Sequence, residues 1–150
     1  MRPIHALLVA ALLPLQLAHA QAPKEKWGAA PAVFPAGARM AVMQGDPSKA
    51  ELFTVRLDLP PGYRIAPHFH PTDEHLTIIR GTFLVGMGDI LDPKQTMTLS
   101  AGDFATAPAE AHHYAIAKTH TIVQVHAMGP FQLTYVNAAD DPTRKGVATR

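Results

Sequence analysis

Apolar and polar residues alternate with a period of two through a series of short runs between Met40 and Val136, most of them closed by Gly, Pro, Asp or Ser. The clearest run is Glu51 to Leu59, where Phe53, Val55, Leu57 and Leu59 alternate with Thr54, Arg56 and Asp58. Successive side chains of a strand point to opposite faces, so one face of this run suits a core and the other suits solvent. Met40 to Gln44 precedes it across the turn residues Gly45, Asp46, Pro47 and Ser48. Pro60, Pro61 and Gly62 then turn the chain into Tyr63 to His70, and Glu74 to Arg80 with Thr82 to Met87 reads as a hairpin about Gly81. Asp89 to Gln95 is a polar loop. Thr96 to Leu99, Asp103 to Ala107, His113 to Ala117, Thr121 to Met128 and Phe131 to Val136 complete the series, and only Pro47 to Glu51 has room for a helical turn. Many short, closely spaced strands predict an all-β fold, an antiparallel sandwich or barrel.

The flanks break this pattern. Gln21 to Pro35 is rich in Ala, Pro and Gly, has no period, and is expected to form an arm pinned to the body by Trp27 and Phe34. Trp27 is read as an aromatic covering an apolar face rather than as a substrate contact. Asn137 to Arg150 is polar and aperiodic and is expected to be a tail. At the other end, Arg2, the apolar run Ala6 to Leu13 and the small residues Ala18 and Ala20 have the order of a cleaved export signal, with the mature chain beginning at Gln21. The expected organisation is therefore a signal peptide over 1–20, an arm over 21–46, one β domain over 47–136 and a tail over 137–150. That places the protein in the periplasm or outside the cell, with no membrane attachment once the signal is removed. The length of 150 residues suits one domain with a real core.

Charge and cysteine content narrow the chemistry. The chain carries 13 basic and 12 acidic residues, and loss of Arg2 with the signal makes them equal. No basic cluster with interleaved aromatics occurs, so nothing predicts a nucleic-acid partner. There is no cysteine, so any metal site must use nitrogen and oxygen ligands.

Such a set is compact. His68 and His70 are two apart on one predicted strand and therefore share a face, and Glu74 is expected to return on the neighbouring strand after a short turn. By the same alternation His75 points away from Glu74, and His112 away from His113. His120, in a polar turn, is expected to be solvated. Gln124 and His126 share one face of Thr121 to Met128, and either line a pocket or bond across the sheet. Phe83, Met87, Phe104 and Tyr114 are expected in the core.

The spacing of Gly62, His68, His70, Glu74 and Gly81 matches the first motif of the cupin superfamily at every defining position, and a second motif matches in part at Gly102, Pro108 and His113. Glu110 stands where that motif has Gly, so the turn is expected to take another shape that avoids the glycine conformation. Ala117 stands in place of its Asn. The chain thus resembles a cupin over roughly residues 50 to 130. The resemblance implies a single-domain jelly-roll β-barrel that commonly pairs as a homodimer and holds one divalent metal inside. It also implies the ligands His68, His70, Glu74 and His113.

Three imidazoles and one carboxylate suit Fe, Mn, Ni, Co or Zn and suit Ca poorly. An octahedral ion would keep two open positions for a small-molecule ligand or substrate. Three functions follow: a dioxygenase, isomerase or lyase acting on a small oxygen-rich substrate; a metal-dependent binding protein without turnover; or a metal-stabilised interaction domain. A dioxygenase should carry an apolar cavity, for which Leu76, Ile78, Phe83 and Ala115 are candidates. A proton-transfer enzyme needs a base beyond the ligands, for which His126, Glu110 and His112 are the candidates.

Overall fold

The computed structural model describes residues 25–144, and the expected signal peptide lies outside them. Eleven strands follow one another: β1 (Gly28–Ala29), β2 (Arg39–Gln44), β3 (Leu52–Leu59), β4 (Arg64–Phe69), β5 (Glu74–Arg80), β6 (Thr82–Met87), β7 (Met97–Ser100), β8 (Phe104–Ala107), β9 (His113–Ala117), β10 (Thr121–Met128) and β11 (Thr134–Tyr135). They form two antiparallel sheets, one ordered β1-β2-β3-β10-β5-β8 and the other β11-β4-β9-β6-β7. The fold is an all-β jelly roll.

The period-two pattern becomes the core. On β3, Phe53, Val55, Leu57 and Leu59 are all buried, and β10 sets Val123, Val125 and Ala127 beside them on the same face. The second sheet answers with Ile65, Phe83, Val85, Ala115 and Ala117.

Several elements differ from expectation. Glu74 to Arg80 and Thr82 to Met87 do not pair as a hairpin, for β5 pairs with β10 and β8 while β6 pairs with β9 and β7. One residue is too short to fold a strand back on itself. Gly81, at φ +86°, instead carries the chain from one sheet to the other, and a Cβ there would meet the His120 carbonyl oxygen at 2.3 Å. β4 and β5 likewise belong to different sheets, so Glu74 reaches the site from across the barrel rather than from a neighbouring strand.

The aperiodic stretch before Pro35 contributes β1, paired to β2, and Phe34 is buried against Phe131 with ring centroids 5.8 Å apart. Trp27 carries the Arg39 guanidinium over its ring at 5.8 Å. Pro47 to Glu51 is a turn rather than helix, closed by Asp46, which accepts from the Ser48 amide. Phe131 to Val136 is strand only at Thr134–Tyr135, because the Phe131 amide leaves the sheet to donate to the Pro47 carbonyl. Ala138–Asp140 and Pro142–Arg144 are 3-10 turns capped by Asn137 and Asp141 side chains. Met87 and Phe104, expected in the core, are exposed at 56% and 60%: Phe104 occupies the outward phase of β8, whereas Met87 keeps the phase of Phe83 and Val85 but is the last residue of β6, where the inner face opens to solvent. Tyr114 is buried, but on the outer face of its sheet, under the loop whose Asp92 and Gln95 carbonyls accept from its hydroxyl.

Candidate metal centre

Strand pairing assembles the centre. His68 on β4 lies directly opposite His113 at the start of β9, and His70 follows just beyond the end of β4. The ring centroids of His68 and His113 are 4.2 Å apart, those of His68 and His70 are 5.0 Å apart, and those of His70 and His113 are 5.3 Å apart. All three residues are buried, as is Glu74, the first residue of β5. Its Oε2 lies 3.6 Å from His70 Nε2 and 3.7 Å from His113 Nε2.

The backbone sets the tautomers. Each Nδ1 faces a carbonyl oxygen: His68 on Ala66 at 2.8 Å, His70 on Gln132 at 2.6 Å and His113 on Ala111 at 2.9 Å. A carbonyl can only accept, so Nδ1 carries the hydrogen in all three rings, and in the neutral imidazole Nε2 is left with a free lone pair. One potential ligand nitrogen from each ring lies within 4.8 Å of the others. His70 Nε2 and His113 Nε2 are buried without a hydrogen-bond partner. An unpartnered buried polar atom costs about 1–3 kcal/mol, and a metal ion is the partner that satisfies several convergent lone pairs at once. The residues therefore fit a divalent transition metal.

Electrostatics support the same reading. Burial, reinforced by the charges of His113 and His70, pushes His68 down to about 3, so that this ring stays neutral. At Glu74 burial acts to raise the carboxyl, but the His113 contact and the charges of His70, His113 and His68 outweigh it and hold the group ionised. At His113 burial acts to lower the ring, yet the Glu74 contact and the Ala111 carbonyl outweigh it and leave the value raised. One anionic oxygen thus stands among imidazoles ready to exchange a proton for a cation.

Two cavities meet at Glu74. The deeper one, lined by the three histidines with Leu76, Phe83 and Ala115, measures about 20 Å³. That is room for one water. The expected substrate cavity of Leu76, Ile78, Phe83 and Ala115 is therefore filled core, and Ile78 does not line it. The larger chamber, about 510 Å³, opens on the other side of Glu74 between the inner face of β2 and β3, the arm at Pro31, Val33 and Phe34, and the segment Phe131 to Thr134. The arm is tied down by the Tyr63 hydroxyl, which donates to the Pro35 carbonyl at 2.5 Å, and by the Tyr135 hydroxyl, which donates to the Val33 carbonyl at 2.8 Å.

The three candidate bases lie elsewhere. His126 is on the outer face of its sheet, where Nδ1 meets Thr54 Oγ1 at 2.8 Å and Nε2 meets the Gln124 amide, while Gln124 Oε1 accepts from Arg56. These residues bond across the sheet rather than line the pocket, because Val123 and Val125 hold the inward phase of β10. His112 points outward as alternation predicts, bonded to Asp89 at 2.6 Å and stacked on Phe69. His75 also points outward, against Thr106 and Phe104. His120 is exposed, as expected, and bonds Asp58 at 2.5 Å.

Glu110 is exposed, yet its backbone matters. It keeps the left-handed conformation, φ +60°, so the turn retains the glycine-like shape that the substitution was expected to abolish. The Glu110 amide donates to the His70 carbonyl at 2.8 Å, and the next loop contact runs from the Ala109 amide to Asp73 Oδ1. These two bonds strap the second motif's turn onto the first motif and over-determine the strained residue. Asp73 and the carbonyls of Ala66, Gln132 and Ala111 escaped sequence reading. The repeated placement of the accepting carbonyl two residues before His68 and His113 is a backbone relation with no side-chain signature.

Comparison with known proteins gives a consistent picture. Residues 55–129 match the family model described as the cupin domain. No curated protein matches the chain in sequence. Among solved structures, the polyketide cyclase RemF from Streptomyces resistomycificus is similar at 16% identity and a TM-score of 0.64, covering 81% of this chain and 87% of its own. A putative acetylacetone dioxygenase from Methylibium petroleiphilum aligns at 18% identity and 0.60, covering 93% and 90%. KdgF from Halomonas sp. aligns at 21% and 0.54, covering 69% and 84%. At such identities the likeness is one of fold.

Proposed function

This chain belongs to the cupin family, and from that premise we propose that it is a metal-dependent enzyme whose centre is His68, His70, His113 and Glu74 and whose substrate enters through the chamber beside Glu74. The observation that carries this reading is the set of three imidazoles locked with Nδ1 on carbonyls and Nε2 directed at one another. The donor set suits one Fe, Mn, Ni, Co or Zn ion. A metal held there would supply Lewis acidity toward an oxygen donor of the substrate and, if redox-active, one-electron chemistry with dioxygen.

The chain's own residues favour dioxygenation over isomerase or lyase chemistry. Among the described residues, Glu74 is the one titratable side chain that lines the chamber, and it is already engaged with His70 and His113. The proton-transfer alternatives need a base beyond the ligands, and His126, His112 and Glu110 face outward. Phe131, 5.6 Å from His70 and stacked on Phe34, shields the centre from solvent on the chamber side.

The reading carries three further proposals. Residues 1–20 direct export and are removed, so the working protein is periplasmic or secreted, with the arm at 21–46, the barrel at 47–136 and the tail at 137–150. The barrel pairs as a homodimer through its exposed sheet edges. Its partner is a small molecule.

The test is elemental analysis of the protein purified without added metal or chelator, followed by dioxygen uptake with pools of small molecules. One equivalent of Fe, Mn, Ni, Co or Zn with substrate-dependent uptake is expected. Metal without uptake would refute the dioxygenase assignment and leave the isomerase, lyase and binding alternatives, and absence of metal would refute the centre. Amino-terminal sequencing should begin at Gln21.

A further inference from the structure

We infer that the substrate of this centre has a planar apolar body and a single oxygen-donor head, rather than being a polyol or a sugar acid; the inference rests on the metal-centre reading above. The chamber's walls decide this. Val33, Phe34, Met40, Val55, Leu57 and Phe131 make it a predominantly apolar space, and no lysine or arginine lines it among the described residues. An oxygen-rich solute entering there would leave its water and find few replacements, a cost paid per hydroxyl. A carboxylate distant from the metal would also meet no counter-charge. Among the described residues Glu74, itself placed at the metal, is the one titratable side chain in the wall.

Size and shape agree. A volume of about 510 Å³ is within the range that encloses drug-sized ligands. The space beside the histidines holds only about 20 Å³, so the body of the molecule cannot lie against the metal and a small head alone reaches it. Phe131 stands at the junction. Its ring lies 5.6 Å from His70, 5.8 Å from Phe34 and 6.1 Å from Phe53, which lines one side of the passage with aromatic surface suited to a flat body. The arm that closes the chamber is held by two tyrosine hydroxyls on its carbonyls, so the space is largely formed before ligand arrives.

The experiment titrates the metal-loaded full chain with 2-naphthol, by its fluorescence, and with gluconate, by calorimetry. The same titrations are run on Met40→Trp and Val33→Trp, each of which fills the chamber with an indole, and on Met97→Trp, which sits on an exposed strand of the other sheet. We expect one equivalent of 2-naphthol to bind roughly tenfold or more tightly than gluconate, with that affinity falling by about tenfold in a folded chamber variant and holding in Met97→Trp. Gluconate binding as tightly as 2-naphthol overturns the inference, as does naphthol binding indifferent to both chamber variants. Metal analysis of the same samples separates the two readings. Stoichiometric metal with gluconate preferred removes only the substrate class, whereas naphthol binding to a chain that takes up no metal removes the centre and the substrate role with it.

Discussion

Substituting Gly86 by Ala tests how the outer face of one sheet holds the metal centre in place. Gly86 on β6 lies opposite Tyr114 on β9, and the tyrosine ring lies so close over it that a Cβ would come within 2.1 to 2.3 Å of two ring carbons and the hydroxyl oxygen. Such a contact requires something to move. Tyr114 is 1% exposed and its hydroxyl is committed to the Asp92 and Gln95 carbonyls, so the ring cannot tilt without surrendering that anchor. Losing the hydrogen bond costs about 0.5–1.5 kcal/mol, and returning most of a large side chain to water costs about 1.5–3 kcal/mol. Alanine recovers about 0.5–1 kcal/mol through the reduced freedom of the unfolded chain. The expected net loss is about 1–4 kcal/mol, read as a shift in urea midpoint at unchanged slope for the chelated protein. In a Tyr114→Ala background the same substitution should cost less than about 0.5 kcal/mol, since the clash has gone. Metal affinity should fall as well, because Tyr114 adjoins His113 and the neighbouring Met87 pairs with His113. A neutral Gly86→Ala, or one equally costly in both backgrounds, would refute the reasoning.

Four other expectations can be checked directly. His68→Ala and Glu74→Ala should each abolish stoichiometric metal retention, and one tightly held ion in both variants would remove the ligand assignment. His126→Ala should leave metal content and turnover within about twofold of the parent, since that ring bonds Thr54 and Gln124 on the outer face. In the chelated protein, His113 has a raised folded value, so its contribution to stability is full below the ordinary imidazole value of 6.5 and lost as pH rises through the folded value. His68 runs oppositely, with a contribution full above 6.5 and lost as pH falls toward about 3. Melts from pH 4 to 8 of His68→Gln and His113→Gln should separate the two slopes. Metal binding itself should weaken as acid fills His113. Finally, Glu110→Gly relieves a left-handed residue at about 1 kcal/mol or more, offset by glycine's greater unfolded freedom, so a gain of up to about 1 kcal/mol in the urea midpoint is expected.

Local patterns carried much of the structure. The phase of Phe53, Val55, Leu57 and Leu59 determined which face of β3 is core, because alternation is a property of the extended chain that no packing partner alters. The same rule placed His75 and His112 outside and brought His68 and His70 to one side. The resemblance to the second cupin motif marked His113 ahead of its neighbour His112. Where reading failed, the deciding contact was distant in sequence. Sheet membership is one case: nothing in residues 74–87 tells that β5 seeks β10 while β6 seeks β9, so Gly81 looked like a hairpin turn and proved to be a corner. Glu110 is another, since its left-handed backbone is held by the His70 carbonyl forty residues earlier.

Most strand positions, the inward phase of β3 and β10 and the shared face of His68 and His70 were legible in the sequence, since each depends on periodicity or short spacing, and the motif resemblance added His113. Long-range packing was needed to show which sheet supplies Glu74, how carbonyls fix the three ring tautomers, and where the chamber beside Glu74 lies. The chamber joins an aperiodic arm, the inner face of β2 and β3, and the segment after Gly129, three stretches that share no local pattern. They come to line one chamber only when burial of Phe34 against Phe131 brings them together.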